Sequence, residues 1–161
     1  MRDSPRIKAV TPETLRAFDH ALRALSNALG DPHRAGVAEL QAALFGSHPS
    51  AAGLLAQSGE DVMGAALFSP VMSTSLGVAG AYVSDLWVAE AARGTGLGQS
   101  LLGAVARHAG RLWQARFIKL ISYDGNSGAL GFYDRLGFEA QERETVLTLT
   151  GAAFEQLRDT A

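Results

Sequence analysis

The chain has no cysteine. That absence excludes disulfides, thiolate metal sites, iron–sulfur clusters and a cysteine nucleophile. Charge is sparse: 19 % of the 161 residues are charged, and fourteen basic against sixteen acidic residues leave a formal net charge of −2. The basic residues, only two of them lysine, gather into no polybasic tract, which argues against nucleic acid or an anionic membrane as a partner. No run approaches the roughly 18 apolar residues of a membrane span. The opening MRDSPRIKAV mixes both charge signs with a proline and lacks the apolar centre of a signal peptide. A soluble, cytoplasmic protein is therefore expected. The histidines at 20, 33, 48 and 108 show no ligand spacing, so no metal is expected, and no G-x-S-x-G elbow offers a serine nucleophile.

Glycine, by contrast, is plentiful. Eighteen of the 161 residues are glycine, against a usual share of about 7 %. With 47 % hydrophobic residues the chain can bury a sizeable core unaided, and its length suits one domain, residues 1–161.

Hydrophobic spacing supplies the elements. Ile7–Val10 is a short strand, and Thr11-Pro12-Glu13 opens a helix whose Leu15, Phe18, Leu22, Leu25 and Leu29 recur at threes and fours. Gly30-Asp31-Pro32 ends it. A second short helix carries Val37, Leu40 and Leu44. Residues 51–57 and 62–68 form a hairpin, a polar loop follows from Ser69 to about Gly80, and residues 81–88 make a further strand. From Gly96 a helix runs to about Trp113 with Leu97, Leu101, Val105, His108 and Leu112 on one side; His108 reads as a packed residue. Residues 117–123 are the next strand, residues 127–136 a helix, and residues 145–150 a last strand before a short terminal helix. Early hairpins and late strand–helix–strand crossovers define a mixed α+β sheet with helices on its faces.

The most informative segment runs from Asp85-Leu86-Trp87-Val88 through Arg93-Gly94-Thr95-Gly96-Leu97-Gly98-Gln99. It sets an arginine and three alternating glycines between a strand and an amphipathic helix. Glycines allow left-handed backbone and close approach, so successive N–H groups can converge on an anion. The helix start adds unpaired donors and the positive end of its dipole, with Arg93 as a charged clamp. A P-loop would need lysine where Gln99 stands, and a dinucleotide fingerprint would need its third glycine there. A ligand-free turn is the remaining alternative.

About thirty residues on comes Asn126-Ser127-Gly128-Ala129-Leu130-Gly131-Phe132-Tyr133-Asp134-Arg135-Leu136-Gly137-Phe138. The first motif, R-x-x-G-x-G after D-L-x-V, resembles the pyrophosphate-binding loop of the Gcn5-related N-acetyltransferase superfamily. The second resembles that superfamily's N-x-x-A-x-x-F-Y-x-x-x-G-F signature. The resemblance covers about residues 62–151. Upstream, Leu44-Phe45-Gly46-Ser47-His48-Pro49, and downstream, Leu147-Thr148-Leu149-Thr150-Gly151, resemble its polyamine and thialysine branch.

The resemblance implies a central mixed, twisted sheet of six to seven strands, acetyl-CoA as acyl donor, a small-molecule amine as acceptor and a homodimer. It implies that the backbone of Leu86, Trp87 and Val88 binds pantetheine and holds the developing oxyanion. It places the pyrophosphate on Arg93, Gly94, Thr95, Gly96, Leu97, Gly98 and Gln99, and sets Asn126, Ala129, Phe132, Tyr133 and Arg135 along the cofactor arm. Residue chemistry agrees with acyl transfer. A departing thiolate with an ordinary pKa near 8.5 gains from a proton, and a tyrosine near 10 can give one. Tyr133 occupies the matching position, although it can equally be a packed aromatic beside Phe132. The acceptor ammonium must lose a proton, for which Asp85 or Glu90 would serve, each with a merely solvated or structural carboxylate as the competing reading. Ser84 departs from the acidic pair of the polyamine branch, which leaves the base open. Asn126 can equally cap the helix after it. Without cysteine, direct transfer in a ternary complex is favoured over an acyl-enzyme. A transferase acting on a peptide or protein amine is one alternative, and a non-catalytic acyl-CoA-binding sensor module is the rival from another class.

Overall fold

The computed structural model describes residues 4–160, so the first three residues of the mixed-charge opening lie outside the described residues. The chain forms two compact units, one ending at Tyr123 and one starting at Asp124.

The first unit is built on a five-stranded sheet in the order β1 (Arg6–Ala9), β2 (Ala52–Ser58), β3 (Asp61–Ser73), β4 (Val78–Val88), β5 (Ile118–Leu120). The first four strands pair antiparallel and β4–β5 is parallel. The helices α1 (Leu15–Leu29) and α2 (Val37–Phe45) connect β1 to β2, and α3 (Leu97–Trp113) makes the crossover from β4 to β5. Among the described residues, five strands replace the expected six to seven.

Residues Leu15, Phe18 and Leu22 of α1 are buried with Leu40 and Leu44 of α2 against Leu55 and Ala65 of the sheet. Toward its end the α1 stripe surfaces, and Leu29 is exposed. The neighbour of Ala65 in the pleat, Gly64, points to the opposite face. There a Cβ would stand 2.8 Å from Leu101 and 3.4 Å from Leu97, so glycine lets α3 lie close to the sheet. The buried side of α3 is Leu97, Leu101, Leu102, Val105 and Ala109. His108 packs edge-on against Phe68 with ring centroids 5.8 Å apart, and burial lowers its pKa, aided by Arg111. The expected Leu112 is exposed, whereas Trp113, one residue on, packs edge-on against Phe68 with centroids 5.8 Å apart.

The polar stretch expected as a loop from Ser69 to Gly80 is mostly strand: β3 and β4 extend as a two-stranded ribbon, leaving only residues 74–77 as a turn. β2 pairs with β3 only as far as Phe68, so Ser69–Ser73 has a free edge, which accommodates the missing N–H of Pro70. The strand expected at 117–123 is shorter, Ile118–Leu120, with Ile121 and Tyr123 exposed.

In the second unit α4 (Ser127–Arg135) and α5 (Gly151–Arg158) flank an irregular stretch. Residues 145–150, expected as a strand, carry no ladder hydrogen bonds. The adjacent apolar pair Val146-Leu147 breaks the period of two, and Val146, Leu147 and Leu149 are exposed. A strand without a partner is not stable as one.

Candidate active site

The loop between β4 and α3 is held from below. Ala89 N–H donates to the Met63 carbonyl at 2.9 Å, Ala92 N–H to Ala89 at 2.8 Å, and the Thr95 hydroxyl to Ala92 at 2.6 Å. Gly94 and Gly96 then take left-handed φ values of 74° and 85°. A Cβ at either would meet nothing within 4 Å, so conformation and not space requires glycine there. The first helical bond runs from Ser100 N–H to the Gly96 carbonyl, and no side chain caps the helix. Among the described residues, the N–H groups of 94 to 99 find no acceptor within the chain. Gly94, Thr95, Gly96, Leu97, Gly98 and Gln99 thus present consecutive unpaired donors at the positive end of a 17-residue helix. Arg93 Nε donates to the Val88 carbonyl at 3.3 Å, and the rest of its exposed guanidinium is uncommitted. Such a set suits a phosphate or pyrophosphate.

β4 approaches this loop with one side unpaired. It pairs with β5 only at Ala81, Tyr82 and Val83; beyond, Asp85, Leu86, Trp87 and Val88 pair only with β3. On the β5 side the backbone of Leu86–Val88 therefore has no strand partner, as an acyl or pantetheine amide would need, and the Val88 carbonyl accepts from Arg93.

A bulge sits where the two strands part. Val83 faces Phe68 and Asp85 faces Leu67, leaving Ser84 as the extra residue, its hydroxyl donating to the Leu67 carbonyl at 3.3 Å. Leu67 and Phe68 point to opposite faces, so Val83 and Asp85 do too, and Asp85 shares with Trp87 the face covered by α1. Burial holds the Asp85 carboxyl above its usual range; the Ser84 hydroxyl and His33 oppose the rise, and the Asp31 charge adds to it. Glu90 lies exposed at the start of the turn beyond β4.

The α1–α2 connection brings further polar groups to this face, and sequence reasoning missed them. His33 Nδ1 lies 2.9 Å from the Ser26 hydroxyl, and its Nε2 lies 3.4 Å from the buried Asp19 carboxylate, which Arg23 also approaches at 3.5 Å. Tyr123 donates to Asp31 at 2.6 Å, and that bond raises the Tyr123 pKa. No local signal marks these residues, since Tyr123 and Asp31 are 92 positions apart. Among the described residues no group of three or more His, Cys, Asp or Glu could hold a metal ion.

The other site residues belong to the second unit. Asn126 Oδ1 accepts the Ala129 N–H at 3.1 Å, so this side chain caps α4. The helix ends in a double reversal: Phe138 N–H donates to the Tyr133 carbonyl at 3.0 Å and Gly137 N–H to Asp134 at 2.9 Å, with Gly137 at φ 91°. That closure sets the Phe138 ring edge-on against Tyr133, centroids 5.4 Å apart, while Phe132 flanks it at 5.2 Å. The G-F of the signature therefore fixes the tyrosine ring. Burial raises the Tyr133 pKa, so the phenol keeps its proton at neutral pH. Arg135 folds back over Gly131, its Nη1 3.3 Å from where a Cβ there would stand.

Residues 18–138 match the model of the acetyltransferase (GNAT) family, and the chain belongs to that family. Over 96 residues it is 33 % identical to an L-ornithine N5-acetyltransferase of Arabidopsis thaliana, a match covering 60 % of this chain but only 42 % of that protein. Among solved structures, an integron cassette protein from the mobile metagenome of V. cholerae superposes with a TM-score of 0.76 at 21 % identity, covering 98 % of this chain and 99 % of the other. An aminoglycoside acetyltransferase from an uncultured soil metagenomic sample, in complex with sisomicin, gives 0.74 at 16 % identity over 91 % and 95 % of the two chains. These likenesses establish the fold. No helix among the described residues is long and apolar enough to cross a membrane.

Proposed function

We propose that the chain is an N-acetyltransferase carrying an acetyl group from acetyl-CoA to a primary amine of a small molecule, by direct attack in a ternary complex. The observation that carries this reading is the run of unpaired N–H groups from Gly94 to Gln99 beside Arg93, at the end of a strand whose Leu86–Val88 edge has no strand partner. The first set holds the pyrophosphate, and the second holds pantetheine and the acyl oxygen. Ala129, Phe132 and Arg135 flank the cofactor arm, and Asn126 caps the helix that carries them. When bound, acetyl-CoA supplies an acyl thioester, whose C–S bond is exchanged for C–N. Asp85 takes the proton that the acceptor ammonium must lose, and its raised pKa brings it nearer to working pH. Tyr133 would give a proton to the departing sulfur and recover one from the nitrogen, which sheds its second proton on becoming an amide. The backbone donors are fixed before the reaction and cost no reorganisation during it.

The acceptor is a small, cationic amine of the ornithine, polyamine or thialysine kind. Its support is the 33 % identity to the ornithine enzyme and the carboxylates of Asp31 and Asp85 on the α1 side of the sheet. A second reading rests on Ser84, which replaces one carboxylate of that branch: the protein binds acyl-CoA as a sensor and transfers nothing.

The test is CoA release over a panel of ornithine, polyamines, lysine analogues, aminoglycosides and peptide N-termini, with Tyr133→Phe in parallel. Turnover on a small amine is expected, reduced about 10²-fold or more in Tyr133→Phe with acetyl-CoA affinity unchanged. Binding without turnover on any amine establishes the sensor. Full turnover in Tyr133→Phe removes the tyrosine as the acid.

A further inference from the structure

A groove of about 520 Å³ opens beside the cradle, between Ile7 of β1 and one flank of α3, with Gly96 at its mouth. Its helix wall is Gln99, Ser100, Gly103 and Arg107, which recur at three and four residues and so share one face. Arg107 leans back along the helix, as long helical side chains do, and its Nη1 lies 3.4 Å from where a Cβ on Gly103 would stand. Any longer side chain at 103 would contest that position. Among the described residues Arg107 has no carboxylate partner. At 1.5 Å per residue, Gly103 lies roughly 9 Å along the axis from Leu97, the first residue of α3.

The groove thus joins two anion-seeking ends: the open donors at the start of α3 and an unpaired guanidinium two turns on. A ligand with two phosphate groups on one ribose matches that spacing. CoA is such a ligand, with a pyrophosphate on the 5′ carbon and a monophosphate on the 3′ carbon.

We propose that Arg107 binds the 3′-phosphate of CoA in this groove and makes the protein select CoA over its 3′-dephospho form. The inference rests on reading the α3 start as the pyrophosphate cradle. A guanidinium offers a phosphate two parallel charge-assisted hydrogen bonds, a geometry that lysine or glutamine does not reproduce. Gln99 and Ser100 supply neutral polar contacts to the ribose between the two anions.

The test is calorimetric titration of CoA and 3′-dephospho-CoA into the wild-type protein and Arg107→Gln at one fixed, low salt concentration. Wild type should bind CoA about tenfold more tightly than the dephospho form. Arg107→Gln should weaken CoA about tenfold and leave dephospho-CoA unchanged, so that the preference disappears. Arg107 is exposed, and the variant should unfold at the wild-type temperature. Gly103→Glu, which sets a carboxylate beside the guanidinium, should reduce the same preference. Equal wild-type affinity for the two ligands, or a preference that survives in Arg107→Gln, overturns the inference while leaving the cradle reading in place. Failure of the wild type to bind either ligand overturns both.

Discussion

Two helices of this protein begin in opposite ways. α4 begins at Asn126, whose side chain accepts the Ala129 N–H at 3.1 Å and so satisfies one of the orphan donors. α3 begins at Gly96, in left-handed backbone, with no side chain over its first N–H groups. α2 follows the first pattern in another form, the Glu39 carboxylate reaching back to the Gly36 N–H at 2.9 Å. A side-chain cap is worth about 1 kcal/mol. Its omission from the longest helix, beside a free arginine, leaves a stabilisation for a bound anion to supply. α1 and α5 also lack a side-chain cap, so what sets α3 apart is the glycine turn and the arginine beside its donors, the combination proposed to hold a ligand.

Breaking the open end should produce the largest effect. Gly96→Ala asks a residue with a Cβ to hold φ 85°, which costs about 1–2 kcal/mol or shifts the donors. Because a Cβ there meets nothing within 4 Å, the cost is conformational and falls on the geometry of the cradle. Affinity for acetyl-CoA, measured by calorimetry, should weaken about tenfold. Unchanged affinity would mean that the donors at the start of α3 serve no ligand.

Breaking the capped end should do the reverse. Asn126→Ala should lower stability by about 1 kcal/mol, a fall in Tm of about 2–4 °C, and leave acetyl-CoA affinity within about twofold of wild type. Thermal unfolding with and without acetyl-CoA measures both. A loss of affinity matching that of Gly96→Ala would assign Asn126 to the cofactor as well as to the helix.

The open end was the more legible of the two in sequence. Arg93 and the alternating glycines are local signals, and positive φ at Gly94 and Gly96 is what glycine in such a loop implies. The closure of α4 was legible only as a pattern; the geometry adds why Gly137 and Phe138 belong to it, since they clamp the Tyr133 ring. What sequence concealed depends on partners far along the chain. The stretch from Ser69 reads as a loop because of Pro70 and the serines, yet pairing with β4 makes it strand. Residues 145–150 read as a strand from composition, yet nothing in the described residues pairs with them. The bulge at Ser84 is set by register against Leu67 and Phe68, and no feature of Val83-Ser84-Asp85 announces it.

The same opposition of committed and uncommitted groups recurs in two carboxylates, and this gives the smallest effect but the sharpest sign. Asp19 is buried and held by His33 at 3.4 Å and Arg23 at 3.5 Å. Asp85 is half-buried, and the Ser84 hydroxyl and His33 only partly offset the burial that raises its pKa. Burial raises the Asp85 pKa, so the folded protein holds this proton more tightly than the unfolded chain does. The associated stability is fully present below the ordinary carboxylate pKa of about 3.9 and is lost as pH rises through the folded value. Asp85→Asn keeps the shape and removes the charge. Its Tm should therefore exceed that of wild type at pH 8, by an amount on the order of 1–3 °C, and the two curves should converge below about pH 4. Asp19→Asn should instead lower Tm at pH 8, because it strips a buried partner from His33 and Arg23. If Asp85 is the base, Asp85→Asn gains stability while losing turnover, the trade expected where a charge is kept partly buried for chemistry. A Tm for Asp85→Asn below wild type at pH 8, or a gap constant from pH 4 to 8, would mean that the Asp85 charge is as fully satisfied as that of Asp19.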